Sequence, residues 1–202
     1  MTRIYFDTEF TGLHKQTTLV SIGLVDEAGR QFYAELTDYD QTQVDSWLQA
    51  NVIDKLYLRE APLLPLRSGN GYGFRVEDKL LMIGDSDQVR IELLNWLSAY
   101  DKVEFVSDVC HYDFVLLIDL LYGHALKMPS HVSAVCHDLN QDLALFFNVD
   151  SIKAFDMNRE EVLLKAFNVD LGTSLVHNAL HDAKVIRELY MALHDIESDL
   201  TN

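Results

Sequence analysis

Two acidic residues two positions apart, Asp7 and Glu9, follow an apolar run near the start of the chain. In an extended strand, side chains two residues apart point to the same face, so we expect both carboxylates to project together. Two such groups repel each other and raise each other's pKa unless a cation lies between them. Carboxylate oxygens are the ligands that Mg²⁺ and Mn²⁺ prefer. The pair alone is weak evidence, because surface strands often carry two acids, but its position directly after an apolar strand favours a metal site.

A second polar group, His177 and Asp182, lies in the run His-Asn-Ala-Leu-His-Asp in the last part of the sequence. Five positions span about one and a half helical turns, so His177 can precede a helix whose first turns carry Asp182. A histidine with a pKa near neutrality is a good general base. Two alternatives stay open: a helix-capping His177 with a solvated Asp182, and a zinc pair formed by His177 and His181. Asn178 occupies the position where a zincin helix requires glutamate, which argues against zinc.

A third acidic residue, Asp113, begins a helix that is otherwise very apolar. It follows an apolar strand predicted at 103–106, and α/β sheets tend to place their active sites outside strand ends. An acid that enters a buried helix needs a partner or a metal. The nearby Asp108 is expected to cap the start of this helix.

A mixed set of strands and helices must position these residues. Apolar runs predict strands at 3–6, 19–25, 31–36, 103–106 and 134–136. The 19–25 and 31–36 strands should form an antiparallel hairpin. Helical spacing of apolar residues predicts helices at 44–53, 85–100, 111–121, 139–147, 159–167 and 178–193. This order indicates an α/β fold with a mixed β-sheet flanked by α-helices, in a single domain covering residues 1–202.

Residues 61–76 interrupt the pattern with prolines and glycines, and they include no acidic residue in an otherwise acidic chain. A surface loop is the simpler interpretation. The alternative is a mobile flap whose Arg67 and Arg75, with neighbouring aromatic side chains, contact the phosphates and bases of a nucleic acid.

The chain of 202 residues has 16 basic and 32 acidic residues, which gives a net charge of −16. Proteins that hold long duplex DNA usually present a basic face, so this balance favours a site that grips only a few nucleotides with the help of bound cations. No apolar run approaches the roughly 18 residues of a membrane span. We therefore expect no membrane partner. Cys110 and Cys136 show no close-spaced pair or disulfide framework in the sequence, which predicts unpaired thiols in a reduced, cytoplasmic protein.

Together, the three polar segments resemble the three motifs of the DEDDh exonucleases. Residues 7–13, Asp-Thr-Glu-Phe-Thr-Gly-Leu, are similar to the first motif, Asp-X-Glu-Thr-Thr-Gly-Leu, and differ mainly at Phe10. Tyr112-Asp113 resembles the second motif, Asn-X-X-X-(Phe/Tyr)-Asp, with Asp108 at the asparagine position. Residues 177–183, His-Asn-Ala-Leu-His-Asp-Ala, match the third motif, His-X-Ala-X-X-Asp-Ala.

The resemblance implies a ribonuclease-H-like fold and a 3′–5′ exonuclease that uses two divalent cations, Mg²⁺ or Mn²⁺, per active site. The metal ligands that it implies are Asp7, Glu9, Asp113 and Asp182, and the implied general base is His177. The residues that it places near the terminal nucleotide are Phe10, Thr11 and Leu13.

The expected substrate is a single-stranded or 3′-overhanging nucleic acid, with RNA favoured, hydrolysed to nucleoside 5′-monophosphates. The Asp-Thr-Glu-Phe opening and the short chain also resemble a small bacterial and phage group of 3′–5′ exoribonucleases. Many relatives are dimers, so a homodimer with the helix at 159–167 in its interface is a further candidate. Two other functions stay open: a nucleic-acid-binding module whose catalysis has lapsed, and a metal hydrolase acting on small phosphorylated molecules.

Overall fold

The computed structural model describes residues 1–66, 71–172 and 175–200, with the backbone alone for 195–200. Within these residues, one mixed sheet is formed by β1 (Thr2–Phe10), β2 (Leu19–Asp26), β3 (Gln31–Leu36), β4 (Leu64–Pro65), β5 (Tyr72–Val76), β6 (Lys79–Gly84), β7 (Val103–Ser107) and β8 (Val132–Asp138). The strands lie in the order β4-β5-β6-β3-β2-β1-β7-β8. The pairs β3–β6, β1–β7 and β7–β8 are parallel, and the other neighbours are antiparallel.

Helices cover both faces of the sheet. They are α1 (Ser46–Asn51), α2 (Ser86–Leu97), α3 (Cys110–Tyr122), α4 (Leu139–Phe146), α5 (Ser151–Phe155), α6 (Arg159–Phe167) and α7 (Ala179–Leu200). Side chains of α2 and α3 pack on one face, and those of α4 and α7 pack on the other. Among the described helices, none is both long and apolar enough to cross a bilayer. The predicted α/β fold with a mixed, helix-flanked sheet is confirmed.

Side chains along β1 point alternately to the two faces of the sheet, each of which has its own core. This alternation decides on which face the acids lie. Ile4 and Phe6 are fully buried in the core under α2 and α3. Tyr5, between them, is buried in the opposite core with α4 and α7. Because Asp7 and Glu9 share the parity of Tyr5, both carboxylates lie on the α7 side of the sheet, just beyond the end of that core.

Several predicted elements differ in extent from the structure. β1 runs to Phe10 and so carries both acids within the strand. The predicted 44–53 helix is reduced to α1, which starts late because the Asp45 side chain accepts a hydrogen bond from the Leu48 N–H and caps it. The short α5 was not predicted, and neither was β6.

The prediction of a loop at 61–76 is wrong in part, because β4 and β5 extend the sheet from β6. Gly73, which reads as a loop signal, lies inside β5. A Cβ at this position would be 2.2 Å from the Leu81 carbonyl oxygen, so the glycine permits a close approach of two backbones. Arg67, predicted to contact substrate, lies outside the described residues.

Cys110, at the start of α3, and Cys136, on β8, are joined by a disulfide. The prediction of two unpaired cysteines is therefore wrong, because the parallel pairing of β7 with β8 brings together residues 26 positions apart. The predicted cytoplasmic location rested on those unpaired thiols, so it loses that support and stays a prediction.

Candidate active site

The carboxyl ends of the parallel strands β1 and β7 open into a cleft that is completed by the first turns of α3, α6 and α7. The cleft has a volume of about 370 Å³. The acidic side chains that line it are Asp7, Glu9, Asp108, Asp113, Glu160 and Asp182. Such a position, outside the ends of parallel strands, is where α/β sheets bind their ligands.

The candidate ligand atoms in this cleft form neighbouring groups, each with its atoms within 4.8 Å of one another. One group is Glu9, His177 and Asp182, and another is Asp7, Asp108 and Asp113. The structure therefore brings the five predicted catalytic residues into one cleft from three separate parts of the sequence.

Asp113 is buried and held by two hydroxyl groups. Its Oδ1 accepts hydrogen bonds from the Thr8 hydroxyl at 2.5 Å and the Thr8 N–H at 3.1 Å, and its Oδ2 accepts one from the Ser107 hydroxyl at 3.3 Å. Burial raises the pKa of Asp113 to about 7 despite these bonds, and Asp108 adds to the rise. Thr8 and Ser107 were not among the predicted site residues, although a hydroxyl residue between two acids on β1 is a visible signal.

Asp7 carries a buried oxygen, Oδ2, for which the described residues supply no hydrogen-bond partner. Burial raises the pKa of Asp7 well above its ordinary value, and the charges of Asp113 and Glu9 raise it further. Burial, followed by the charge of Asp113, raises the pKa of Glu9 to about 8. An unpartnered carboxylate among like charges is costly unless a cation supplies the missing partner. The donor set therefore fits a divalent metal with oxygen ligands.

His177 stands two residues ahead of the start of α7 in a left-handed backbone conformation, with φ of 64°. This conformation lets its N–H donate to Oδ2 of Asp182 at 3.0 Å, which fixes the carboxylate relative to the histidine. Such backbone geometry in a non-glycine residue is strained and is often found at active sites. The imidazole packs edge-on against Trp47, with ring centres 5.5 Å apart. Burial lowers the pKa of His177 and so favours the neutral imidazole.

Asp108 does not cap α3, contrary to the prediction. Val109 occupies the cap position without a side-chain hydrogen bond. The Asp108 carboxylate instead accepts a hydrogen bond from Nε of Arg159 at 3.1 Å, in a pair whose side chains are 20% and 11% exposed. Arg159 also donates to the Ala154 carbonyl at 2.8 Å and to the side chain of Asn140. One arginine thus joins the acidic cleft to α4, α5 and α6.

The alternative zinc pair of His177 and His181 is not formed. His181 is buried with its Nε2 3.5 Å from Oε1 of Glu160, whereas His177 lies against Trp47. Within the described part of the chain, no group of candidate ligands contains both histidines. Four-residue spacing brings the two rings to different surroundings because His177 precedes the helix and does not belong to its regular turns.

The residues predicted to contact the last nucleotide lie in an adjoining cleft of about 430 Å³. Its lining includes Phe10, Thr11, Leu13, Trp47, Tyr112 and Phe155. Leu13 and Trp47 are exposed, at 67% and 56%. The Thr11 hydroxyl, in contrast, donates to Gln43 at 2.7 Å and accepts from the Thr18 N–H at 2.8 Å. Its side chain thus holds the β1–β2 connection together.

Arg75 is placed far from the acids. It lies on β5, where its guanidinium is 3.9 Å from the Glu92 carboxylate. Four strand-to-strand steps separate β5 from β1 in the sheet, a distance of about 19 Å at the usual spacing. The structure therefore does not bring Arg75 together with the predicted catalytic residues.

Comparison with known proteins gives relatives in Mycobacterium tuberculosis. The chain is 36% identical over 139 residues to the 3′–5′ exoribonuclease Rv2179c of strain H37Rv and to the 3′–5′ exoribonuclease MT2234.1 of strain CDC 1551. Each alignment covers 69% of this chain and 72% of the relative. No protein-family model matches the chain.

Among solved structures, the zinc-bound form of the Escherichia coli ExoI–ssDNA complex superposes with a TM-score of 0.59. The likeness covers 99% of this chain and 42% of that longer chain, at 11% sequence identity. At this identity it shows a shared fold, the ribonuclease-H-like exonuclease fold. The mycobacterial relatives show that the chain belongs to the 3′–5′ exoribonuclease family and is a 3′–5′ exonuclease.

Proposed function

We propose that this exonuclease depends on divalent metal ions and removes nucleoside 5′-monophosphates from single-stranded 3′ ends, with RNA favoured over DNA. The observation that carries the proposal is the environment of Asp7. One of its carboxylate oxygens is buried without a donor, and the charges of Asp113, Glu9 and Asp182 all surround the same carboxyl. Such a cluster needs cations to be stable as carboxylates at neutral pH.

The metal ligands in this proposal are Asp7, Glu9, Asp113 and Asp182. Two Mg²⁺ or Mn²⁺ ions at these residues would activate the attacking water and stabilise the leaving oxygen of the phosphodiester. Thr8 and Ser107 orient the Asp113 carboxylate, and the His177 N–H orients that of Asp182. These hydrogen bonds hold ligand oxygens in place before any ion binds, which reduces the reorganisation that binding requires.

His177 is the general base in this proposal. Its lowered pKa keeps the imidazole neutral near pH 7, so it can accept a proton from a water molecule. Contact with the exposed ring of Trp47 restricts the orientation of the imidazole beside Glu9 and Asp182. The strained backbone at His177 places the base ahead of α7 and not on its surface.

The adjoining apolar cleft suits the last base of a single strand. Exposed Leu13 and Trp47, with Phe10 and Tyr112, offer apolar and aromatic surfaces on which a base can stack. The chain has twice as many acidic as basic residues, whereas proteins that hold a long duplex usually present a basic face, so a short 3′ end is the favoured substrate. The relatives in Mycobacterium tuberculosis are named exoribonucleases, which supports RNA as the preferred substrate.

Two alternatives are less well supported. A binding module with lapsed catalysis would be free to lose ligand residues, yet all five catalytic candidates meet in the cleft. A hydrolase of small phosphorylated molecules would not need the exposed aromatic cleft that adjoins the acids.

A product analysis tests the proposal and separates it from both alternatives. The protein is incubated with matched RNA and DNA oligomers, 5′-labelled, with single-stranded or blunt duplex 3′ ends, in Mg²⁺, Mn²⁺ or EDTA. We expect stepwise shortening from the 3′ end, fastest on single-stranded RNA, with nucleoside 5′-monophosphates released and no turnover in EDTA. A chain that binds the oligomers without shortening them in any metal would contradict the proposal, and Asp7→Asn serves as the inactive control.

We further propose that the chain acts as one exonuclease domain over residues 1–202 and assembles as a homodimer. Exposed apolar side chains on α4, α5 and α6 support this assembly. They include Leu145, Ile152 and Leu164, which are 81%, 73% and 50% exposed. Sedimentation analysis of the protein and of a Leu145→Glu variant tests the assembly, because a charge in a dimer interface should yield monomers.

A further inference from the structure

A second cluster of metal-ligand side chains lies where β8, α4 and α7 meet, away from the acidic cleft. His137 on β8 and His194 on α7 both direct Nε2 toward one carboxylate oxygen of Asp142 on α4, at 2.6 Å and 3.3 Å. The three candidate ligand atoms lie within 4.8 Å of one another. We propose that this cluster binds one transition-metal ion, for which Zn²⁺ is the best match, and that the ion fastens α7 to the sheet.

The ligand types select the metal. Two imidazole nitrogens and one carboxylate oxygen form a donor set that suits Zn²⁺ and its neighbours, whereas Mg²⁺ prefers oxygen ligands alone. The acidic cleft presents mainly carboxylates, so the two sites favour different ions. The cluster and the cleft are therefore distinguishable by metal preference as well as by position.

Two of the three separations between ligand atoms are close to those of a tetrahedral site, and the third, between the two imidazoles, is within 4.8 Å. Ligand atoms lie about 2.0–2.1 Å from a tetrahedral Zn²⁺ and therefore about 3.3 Å from one another. The separation of 3.3 Å between His194 and Asp142 already matches this value. The separation of 2.6 Å between His137 and Asp142 would need to widen by less than about 1 Å, which a small side-chain rotation provides.

The side chains leave room for a further ligand. His137, Asp142 and His194 are 32%, 17% and 34% exposed, so an ion from solution can reach them. Three protein ligands and one open position that water can fill form a common zinc geometry. The cluster joins three separate elements, so an ion there would link groups that the sequence keeps far apart.

Neighbouring side chains already hold both imidazoles. The Tyr190 ring lies 4.1 Å from the His194 ring and 5.4 Å from the His137 ring, measured between centres. Arg3, whose guanidinium is 5.2 Å from the Tyr190 ring, is a nearby positive charge, and it forms an ion pair with Glu104 at 3.1 Å. The ring orientations are thus set by packing, as they are at metal sites whose ligands are ordered before the ion binds.

The cluster is separate from the proposed exonuclease metals. His194 follows Asp182 by twelve residues on α7, which corresponds to about 18 Å along the helix axis. No residue belongs to both groups of ligands. The ion would thus act on the stability of the fold and would not take part in phosphodiester hydrolysis.

Without an ion, the same three side chains form a hydrogen-bonded group in which Asp142 accepts hydrogen bonds from both imidazoles. In that case Asp142 stabilises the charged form of His137 and raises its pKa, chiefly through their hydrogen bond. If the three side chains only form hydrogen bonds, added Zn²⁺ should leave the stability of the protein unchanged. If they form a metal site, Zn²⁺ should raise that stability.

The experiment uses a background in which the acidic cleft is disabled, because an active site of carboxylates and histidine also attracts Zn²⁺. The 202-residue protein carrying Asp7→Asn and Asp182→Asn is titrated with Zn²⁺ by calorimetry, and its thermal unfolding is measured with and without the ion. His137→Ala and His194→Gln are then added singly. His124→Ala, which removes an exposed histidine outside the cluster, is the matched control.

We expect the background protein and the His124→Ala control to bind one Zn²⁺ per chain and to unfold at a higher temperature with the ion. Each cluster variant should weaken this affinity at least tenfold and abolish the thermal shift. Absence of Zn²⁺ binding by the background protein, or Zn²⁺ binding that is unchanged in both of the single cluster variants, would overturn the proposal. In the native active-site background, His137→Ala should retain Mn²⁺-dependent exonuclease activity, so failure of the zinc site and failure of the proposed function give different results.

Discussion

Gly23 lies directly opposite Asp7 in the antiparallel ladder between β1 and β2, and the first turn of α7 rests on it. A Cβ at Gly23 would lie 2.3 Å from the Ala179 carbonyl oxygen and 2.4 Å from the Leu180 nitrogen. Only glycine permits this backbone-to-backbone contact. Because Asp182 follows two residues after Leu180, the contact sets how closely the carboxylate on α7 approaches the acids on β1.

Substituting Gly23→Ala should therefore damage the active site through the position of α7. The added methyl group forces the helix outward, and a displacement of about 1 Å in a catalytic group can cost about a hundredfold in rate. We expect such a loss in kcat on an RNA oligomer, with a decrease of roughly 1–3 kcal/mol in the free energy of unfolding from overpacking. Both are measured on the purified variant, by initial rates and by urea denaturation.

Gly29→Ala is the matched control for this substitution. Gly29 has φ of 91° and open space around its Cβ position, in the turn between β2 and β3. The Gly29→Ala variant should lose stability because of backbone strain and should keep the kcat of the native protein. Full turnover by Gly23→Ala would show that α7 tolerates the shift and would refute the packing argument.

Arg159 should be energetically coupled to Asp108 across the edge of the cleft. Replacing Arg159 by methionine leaves the Asp108 carboxylate, which is 20% exposed, without its cationic partner. After allowing for solvent screening, we expect the free energy of unfolding to fall by roughly 1–3 kcal/mol. Adding Asp108→Asn should recover part of this loss. A double-mutant cycle measures the coupling, and the exposed pair of Arg90 and Asp87 should give less than about 0.5 kcal/mol in the same test. Equal coupling in the two pairs would argue against a structural role for Arg159.

The His177→Ala variant should lose general-base catalysis while it keeps its affinity for metal ions. Removal of a general base typically lowers the rate by about 10²–10⁴-fold, and we expect a single-turnover rate reduced in this range. Mn²⁺ affinity, measured by calorimetry, should stay close to that of the native protein, whereas Asp182→Asn should lose it. If His177→Ala weakened Mn²⁺ binding as much as Asp182→Asn does, the histidine would be a metal ligand and its assignment as the base would be wrong.

The parts of the site that could be predicted from sequence are those set by local geometry. The parity of Asp7 and Glu9 on a strand is a property of two residues, and the interval between His177 and Asp182 is a property of one helix start. The pairing of Asp108 with Arg159 joins positions 51 residues apart, and no local pattern indicates it. The same applies to β5, whose Gly73 reads as a loop signal until the neighbouring strand shows why a side chain would not fit there.

The metal-free protein should lose stability as pH rises. Burial and like charges raise the pKa of Glu9 to about 8 and that of Asp113 to about 7, whereas in the unfolded chain they titrate near about 4. The native state thus holds protons that the unfolded chain has released. The resulting stability is complete below about pH 4 and is lost as pH rises toward about 8.

Urea unfolding in EDTA at several pH values between these limits measures this trend. Saturating Mn²⁺ should flatten it, because cations replace the protons among the carboxylates. A Glu9→Gln and Asp113→Asn double variant, which has lost both titrating groups, should show a weaker dependence on pH in EDTA. Stability that rises with pH in the metal-free native protein would contradict the proposed electrostatics of the cleft.

The disulfide between Cys110 and Cys136 should stabilise the turn of α3 that carries Asp113. Cys110 is the first residue of α3, and Asp113 follows within the same turn. Closing a loop between residues 26 positions apart restricts the unfolded chain, an effect of about 3.5 kcal/mol in the chain-entropy treatment.

Thiol counting tests the bond between Cys110 and Cys136. Protein purified without reductant should show no thiol reactive to a chromogenic disulfide reagent when unfolded, and two after reduction. The unfolding free energy should fall on reduction, and a Cys110→Ser variant should match the reduced protein and be insensitive to reductant. Two reactive thiols in unfolded protein that has never been reduced would show that the bond is not formed.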